Sequence, residues 1–145
     1  MSFLSTRCLY GLRAALYVAA GMPDRNRTSV RDIAHALDIP HFFLAKIVQA
    51  LTTAGILRAV RGRGGGVELA RAPHAITLLE VIVALDGDGV FRSCVLGLAG
   101  CSDRRPCPLH AKWSAKRKAL KRLFASSTLA QIAKLTHIAG IRLSD

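Results

Sequence analysis

The stretch from Ser29 to Arg71, SVRDIAHALDIPHFFLAKIVQALTTAGILRAVRGRGGGVELAR, constrains the fold of this chain more than any other. Ser29 is placed to cap a short helix that carries Ile33, Ala34 and Leu37 on one face. Asp38-Ile39-Pro40 interrupts it. A second helix from about His41 repeats apolar residues at Leu44, Ile47, Val48 and Leu51, the i, i+3, i+4, i+7 pattern of one buried stripe. Gly55 supplies its C-terminal stop. Two apolar-alternating runs, Ile56 to Val60 and Val67 to Ala70, then flank a tip of glycine and arginine, which predicts a hairpin. Helix, tight turn, helix and hairpin in this order make a winged helix-turn-helix.

The flanking segments read as further helices. Ser5 or Thr6 caps a first one bearing Leu9, Leu12, Ala15, Leu16 and Ala19, with Gly21 and Pro23 at its end, and MPDRNRTS follows as a loop. Thr77 caps LLEVIVALDG, which Gly87 ends. After a cysteine-rich loop, Pro108 is expected at the first position of a longer helix reaching Phe124, with Trp113, Leu120, Leu123 and Phe124 on its apolar side. A last run from Leu129 to Leu135 folds back. The expected fold class is thus mainly α with a small β-hairpin: a winged helix-turn-helix plus a long C-terminal helix. At 145 residues the chain is large enough for one globular core.

Charge narrows the partner. Lys and Arg number 21 against 9 Asp and Glu, a formal net charge of +12, which on a folded chain points to a polyanion such as nucleic acid. In a winged helix the second helix of the motif enters the major groove and the wing reaches the backbone or minor groove. The groove face of that helix is what the core does not take: His41, Phe42, Ala45, Lys46, Gln49 and Thr53. Lys46 and Gln49 suit base edges, and Ala45 suits a thymine methyl. Arg58, Arg61, Arg63 and Arg71 surround the wing glycines, and Ser29 stands at the motif's start. GRGGG lacks the lysine and hydroxyl of a phosphate loop, so it is not read as a nucleotide site. No apolar run approaches the ~20 residues of a membrane helix, and the N-terminal stretch does not read as a signal peptide, so a cytoplasmic protein is expected.

Three of the four cysteines, Cys94, Cys101 and Cys107, lie in one loop with six and then five residues between them. In a reducing compartment clustered thiols bind metal or react more often than they form disulfides. Thiolates repel, so a cation is the natural reason for three to converge. The spacing lacks the short pairs usual in structural zinc, while iron–sulfur loops tolerate wider gaps and often place proline after a cysteine. Cys107 is expected beside the cap of the following helix, where the dipole favours an anionic group. His110 can share its face. Spacing alone leaves iron–sulfur and zinc open. The absence of C-x-x-C argues against a thiol redox enzyme, and no catalytic residue is assigned.

Taken together, LSTRCLYGLRAALYVA, SVRDIAHALDIPHFFLAKIVQALTTAGIL, VRGRGGGVELAR, ITLLEVIVALDG and CPLHAKW resemble the family of winged-helix iron–sulfur transcriptional regulators that includes IscR, NsrR and RirA. The resemblance covers nearly the whole chain. It implies a homodimer that binds a double-stranded DNA operator, dimerises through the helix after the cysteines, and uses a cluster to gate DNA binding, most simply as a repressor sensing iron, redox state or nitric oxide. It further implies Cys94, Cys101 and Cys107 as ligands, with the fourth position left open among His110, Cys8, and a small external ligand or open iron, and Arg61 as the minor-groove arginine. Residues 1–87 would then be the DNA-binding domain, 88–107 the cluster loop, and 108–145 the dimerisation helix and tail. This chain departs from the pattern in four places. Leu44-Ala45-Lys46 stands where many members carry Leu-Glu-Gln, the first cysteine gap is one residue longer than in IscR, Cys8 occupies a position usually glycine, and Leu9 holds the position of an acidic ligand in NsrR-like members. The cluster, [2Fe-2S] or [4Fe-4S], therefore stays open, as does a structural zinc in its place.

Overall fold

The computed structural model describes residues 2–21, 27–139 and 142–144, with the backbone alone at 137–139. Six α-helices and one hairpin follow in the order α1 (Thr6–Ala20), α2 (Val30–Leu37), α3 (His41–Thr53), β1 (Leu57–Val60), β2 (Gly66–Leu69), α4 (Leu78–Asp86), α5 (His110–Ser126) and α6 (Leu129–Ala139). Short 3-10 turns at Pro73–Ala75 and Gly89–Phe91 complete the described elements. The fold is the mainly helical winged helix-turn-helix expected from the residue pattern. Pro23 and most of MPDRNRTS lie outside the described residues.

Local chemistry explains the boundaries. The Ser5 hydroxyl accepts the Cys8 amide and starts α1, and the Ser29 hydroxyl accepts the Asp32 amide and starts α2. Thr77 and Glu80 form a reciprocal capping box at α4: the Glu80 amide donates to the Thr77 hydroxyl, and the Thr77 amide to the Glu80 carboxylate. At the end of α3 the Gly55 and Ile56 amides donate to the Thr52 and Leu51 carbonyls, each at 3.0 Å, and Gly55 turns left-handed at φ 75°. That pair of bonds is a Schellman stop, and it delivers Ile56 straight into the core.

The core forms around α1, which packs against α3, α4 and α6. Cys8, Ala14 and Ala15 are fully buried on α1, and these short side chains let the neighbouring helices approach closely. Leu44, Ile47, Val48 and Leu51 of α3 are buried together with Val81, Ile82 and Leu85 of α4. Leu129 and Ala133 join the same core from α6, so α6 packs with the winged helix-turn-helix elements. The starts of α4 and α6 are stitched by a Thr77–Thr128 bridge, with the Leu78 amide on the Ser127 carbonyl and the Leu129 amide on the Ile76 carbonyl, both 2.9 Å.

Three details differ from expectation. The long helix begins at His110, two residues after Pro108, because Pro108 and Leu109 form a turn whose Cys107 carbonyl accepts the His110 amide at 3.0 Å. Cys107 is thus set off from the helix end instead of capping it. The expected apolar side of α5 splits. Trp113, Leu120 and Phe124 are half-buried, the last two against the core, whereas Leu123 is 55% exposed. Finally, Thr28 exchanges backbone hydrogen bonds with Val67 at 3.0 and 2.7 Å, which sets the residue before the α2 cap against the hairpin.

That last contact dictates Gly66. Its φ is +142°, and a Cβ there would lie 2.9 Å from the Thr28 carbonyl carbon and oxygen. Gly66→Ala should therefore lower stability by about 1–3 kcal/mol. Urea denaturation followed by circular dichroism checks this; a midpoint equal to that of the parent would contradict the packing of Thr28 on the wing.

Candidate metal centre and nucleic-acid interface

Asp38 sets the crossing of α2 and α3. It adopts the left-handed conformation at φ 52°, ψ 46°, the only described non-glycine residue to do so, and the next amide, Ile39, returns to the Ala34 carbonyl at 2.9 Å. Ile39 is buried, which pins the turn. With one stripe of α3 in the core, His41, Phe42, Lys46, Gln49 and Thr53 are exposed and Ala45 is half-buried. Phe42 is 74% exposed, and the Lys46 ammonium sits 4.6 Å from its ring centroid, a cation–π pair that orders both side chains. Ser29 is half-buried, and its hydroxyl is engaged as the α2 cap.

The wing divides its arginines. In the hairpin register Arg58 stands opposite Glu68, and its guanidinium donates twice to one carboxylate oxygen at 3.0 and 2.7 Å. Arg27 approaches the other oxygen at 3.6 Å and donates to the Gly64 carbonyl at 3.2 Å. Arg61 and Arg63 at the tip are exposed and make no hydrogen bond or ion pair among the described residues. Arg71, expected to cluster with them, instead turns to Glu80 and the Ala75 carbonyl, fastening the base of the wing to α4. Sequence reasoning missed Arg27 and Glu68. The Arg58–Glu68 pairing depends on the hairpin register, and the role of Arg27 depends on the Thr28 bridge; neither left a local signal.

The cysteine loop is held at its entrance by backbone contacts. Phe91 is buried and meets Phe124 of α5 edge-on, with centroids 6.1 Å apart. Trp113 Nε1 and Arg117 Nη1 both donate to the Ser93 carbonyl, at 2.9 and 3.1 Å, and Arg117 also donates to the Arg92 carbonyl. Beyond Ser93 the chain turns tightly, the Gly97 amide on the Cys94 carbonyl and the Cys101 amide on that of Leu98. These turns gather the Cys94, Cys101 and Cys107 sulfurs within 4.8 Å of one another, with Cys94 and Cys107 3.7 Å apart.

Hydrogen bonds from the Leu98 backbone first, and from Leu96 and the neighbouring thiols, lower the Cys94 pKa to about 7 against a weaker opposing effect of burial. At Cys101 a hydrogen bond with the Cys107 backbone lowers the pKa, but burial and the other two sulfurs outweigh it and raise it overall. One thiolate is thus easy to form and a second harder, as expected of like charges at this range.

His110 reaches the group through Cys101. Its Nδ1 lies 3.3 Å from that sulfur, and its Nε2 lies 2.8 Å from an Asp103 carboxylate oxygen, a contact that holds the Asp103 pKa below its ordinary value. Cys8 is elsewhere: it is fully buried, and desolvation, aided by Asp86, pushes its thiol up to about 12. The three sulfurs form a soft donor set that fits an iron–sulfur cluster or a borderline cation such as zinc, and the His110 imidazole lies beside one of them.

The chain matches the model of the Rrf2 family, described as an iron-dependent transcriptional regulator, over residues 4–135. It is 36% identical over 122 residues to protein aau3 of Rhizobium meliloti, covering 83% of this chain and 76% of that one. Among solved structures it resembles CymR, the global cysteine regulator of B. subtilis, at 29% identity and TM-score 0.79, covering 94% of this chain and 99% of that one. It also resembles T. potens IscR at 25% identity and TM-score 0.76, covering 95% of this chain and 90% of that one.

The burial of Cys8 has a measurable result. In native, metal-free protein iodoacetamide at pH 8 should modify the loop thiols and leave Cys8 untouched until denaturant is added. Peptide mass mapping decides it, and modification of Cys8 at the rate of Cys94 would remove it from the core. Because the folded thiol keeps its proton where the unfolded one, near 9, loses it, the native state binds more protons above that pH and Cys8 makes stability fall as pH rises.

Proposed function

From the premise that this chain belongs to the Rrf2 family, DNA-binding transcriptional regulators and not enzymes, we propose a cytoplasmic homodimeric repressor whose operator affinity depends on an iron–sulfur cluster. Cys94, Cys101 and Cys107 would hold the cluster, with His110 as fourth ligand. The observation that carries this reading is the convergence of three thiols within 4.8 Å on a loop fastened to α5. The likeness to IscR and the iron-dependent description of the family support it.

On DNA, α3 would lie in the major groove with Lys46 and Gln49 at base edges, Ala45 and Phe42 toward thymine methyls, and His41 near the backbone. Arg61 and Arg63, unpaired among the described residues, would reach phosphate or minor groove from the wing, while Arg58 would serve mainly to hold Glu68. Ser29 would bring the start of α2 to the backbone. Two such units would address half-sites roughly 34 Å apart, one helical turn.

The second copy would sit on α5. This helix of 17 residues has none fully buried within one chain, and Leu123 projects outward. Residues 1–87, 88–107 and 108–145 would in this reading bind DNA, sense and dimerise, although α6 also packs in the first unit's core. When bound, the cluster supplies an iron centre sensitive to iron supply, redox state or nitric oxide. The chain's part is mechanical: the Trp113 and Arg117 bonds to the Ser93 carbonyl tie loop shape to α5, and so to the spacing of two recognition helices.

Anaerobic purification with iron, sulfide and zinc analysis tests the proposal directly. Brown protein containing iron and sulfide, whose affinity for a duplex selected from a random pool changes on cluster removal, is the expected result. Colourless protein with stoichiometric zinc would replace it by the structural-zinc alternative. Arg61→Ala should weaken that duplex by about 1–3 kcal/mol and flatten the salt dependence; unchanged affinity and slope would remove the wing from the interface. Leu123→Asp should convert dimer to folded monomer in sedimentation, since Leu123 is already exposed within one chain. Retention of the dimer would place the interface elsewhere.

A further inference from the structure

The His110 ring is bonded on both sides. Nδ1 faces the Cys101 sulfur at 3.3 Å and Nε2 faces Asp103 Oδ1 at 2.8 Å. An ionised carboxylate only accepts hydrogen bonds, so the nitrogen opposite it carries the proton. A neutral imidazole has one proton, and placing it on Nε2 leaves the lone pair on Nδ1, directed to the thiol side.

Asp103 itself is well placed to do this and little else. Its side chain is 97% exposed, whereas that of His110 is 15% exposed, and His110 is its only hydrogen-bond or ion-pair partner among the described residues. The turn carrying it is closed on itself: the Ser102 amide donates to the Arg105 carbonyl at 3.2 Å and the Arg105 amide to the Ser102 carbonyl at 3.1 Å. Arg104 and Arg105 flank Asp103, yet its carboxylate pairs with the histidine. An ion pair this exposed adds little to stability, so its consequence lies in ring orientation.

We propose that Asp103 is a positioning residue of the metal centre, fixing His110 in the tautomer and orientation that make Nδ1 the ligand atom. A carboxylate behind a ligating histidine raises its basicity as well as aiming it. The role rests on the thiol loop binding metal, as proposed above, and adds which nitrogen binds and what holds it.

Cobalt(II) titration of anaerobic, metal-free protein, followed by pulsed electron paramagnetic resonance of the iron- and sulfide-reconstituted form, separates the two claims. Asp103→Ala should weaken cobalt binding about 10–100-fold and alter or abolish the histidine nitrogen coupling, with an unchanged melting temperature of the metal-free protein. Asp103→Asn, which keeps an acceptor oxygen, should restore the coupling. His110→Ala should lose it, and adding Asp103→Ala to that variant should cost nothing further. Parent-like affinity and coupling in Asp103→Ala would overturn the proposal, as would an Asp103→Ala effect that persists without His110. Parent protein that binds cobalt and a cluster but shows no nitrogen coupling would overturn it while leaving the three-thiol reading standing. Parent protein that binds neither metal would overturn both.

Discussion

The close packing of α1 against three other helices is the contact on which everything functional here depends. Cys8, Ala14 and Ala15 present almost no bulk, so α3, α4 and α6 settle around one axis. The N-terminal end of α1 is then tied to the C-terminal end of α4, where Arg7 donates to the Leu85 carbonyl at 3.1 Å and the Ser5 hydroxyl and amide both donate to the Asp86 carboxylate. The cysteine loop departs just beyond that knot. One helix therefore fixes the floor under α3 and the point from which the thiols are hung.

Charge is distributed by the same economy of contacts. Among the nine acidic residues, Glu68 neutralises Arg58 and approaches Arg27, Glu80 pairs with Arg71, Asp88 with Arg92, and Asp103 with His110. Exposed pairs of this kind add little to stability, so they shape the protein more than they stabilise it. Their effect is subtraction. Glu68 removes Arg58 from the free positive surface, leaving Arg61 and Arg63 at a tip that glycines keep narrow. A field aimed at a polyanion results from where the few acids stand as much as from the excess of bases.

The helix-turn-helix was legible because each of its signals is local: a serine cap, a 3.6-residue stripe and a glycine stop within about 27 residues. The hairpin was legible for a similar reason, as two short apolar runs around a glycine tip, whereas its register was not, since in β1 Arg58 and Ala59 are both exposed and alternation breaks. Thr28 on Val67 was not, because a single bridge has no period. Leu123 shows the limit of helical phase as a guide: Leu120, Leu123 and Phe124 share a side by spacing, yet Phe91 and the core claim only Leu120 and Phe124. The convergence of three cysteines could be anticipated from the repulsion it has to overcome. The Asp103–His110 contact could not, because it depends on the path of a loop that no hydrophobic pattern governs.

That absence of pattern bears on how such a loop can signal. From Arg92 to Cys107 not one residue is buried, so the segment's shape is not held by the hydrophobic core. Short backbone turns, the thiol cluster and the clamp on Ser93 hold it instead, and Val95, Leu96 and Leu98 remain 46–51% exposed. A change at the sulfurs can thus reshape the loop without disturbing Leu44, Ile82 or Leu129, whose burial keeps the domain folded. In the proposed function the clamp would transmit such a change, because Trp113 and Arg117 grip backbone carbonyls, which move with the chain whatever its side chains do. In that function a labile loop would have to be joined to a rigid domain, and the joint would be the two residues on α5 that hold the carbonyl preceding Cys94.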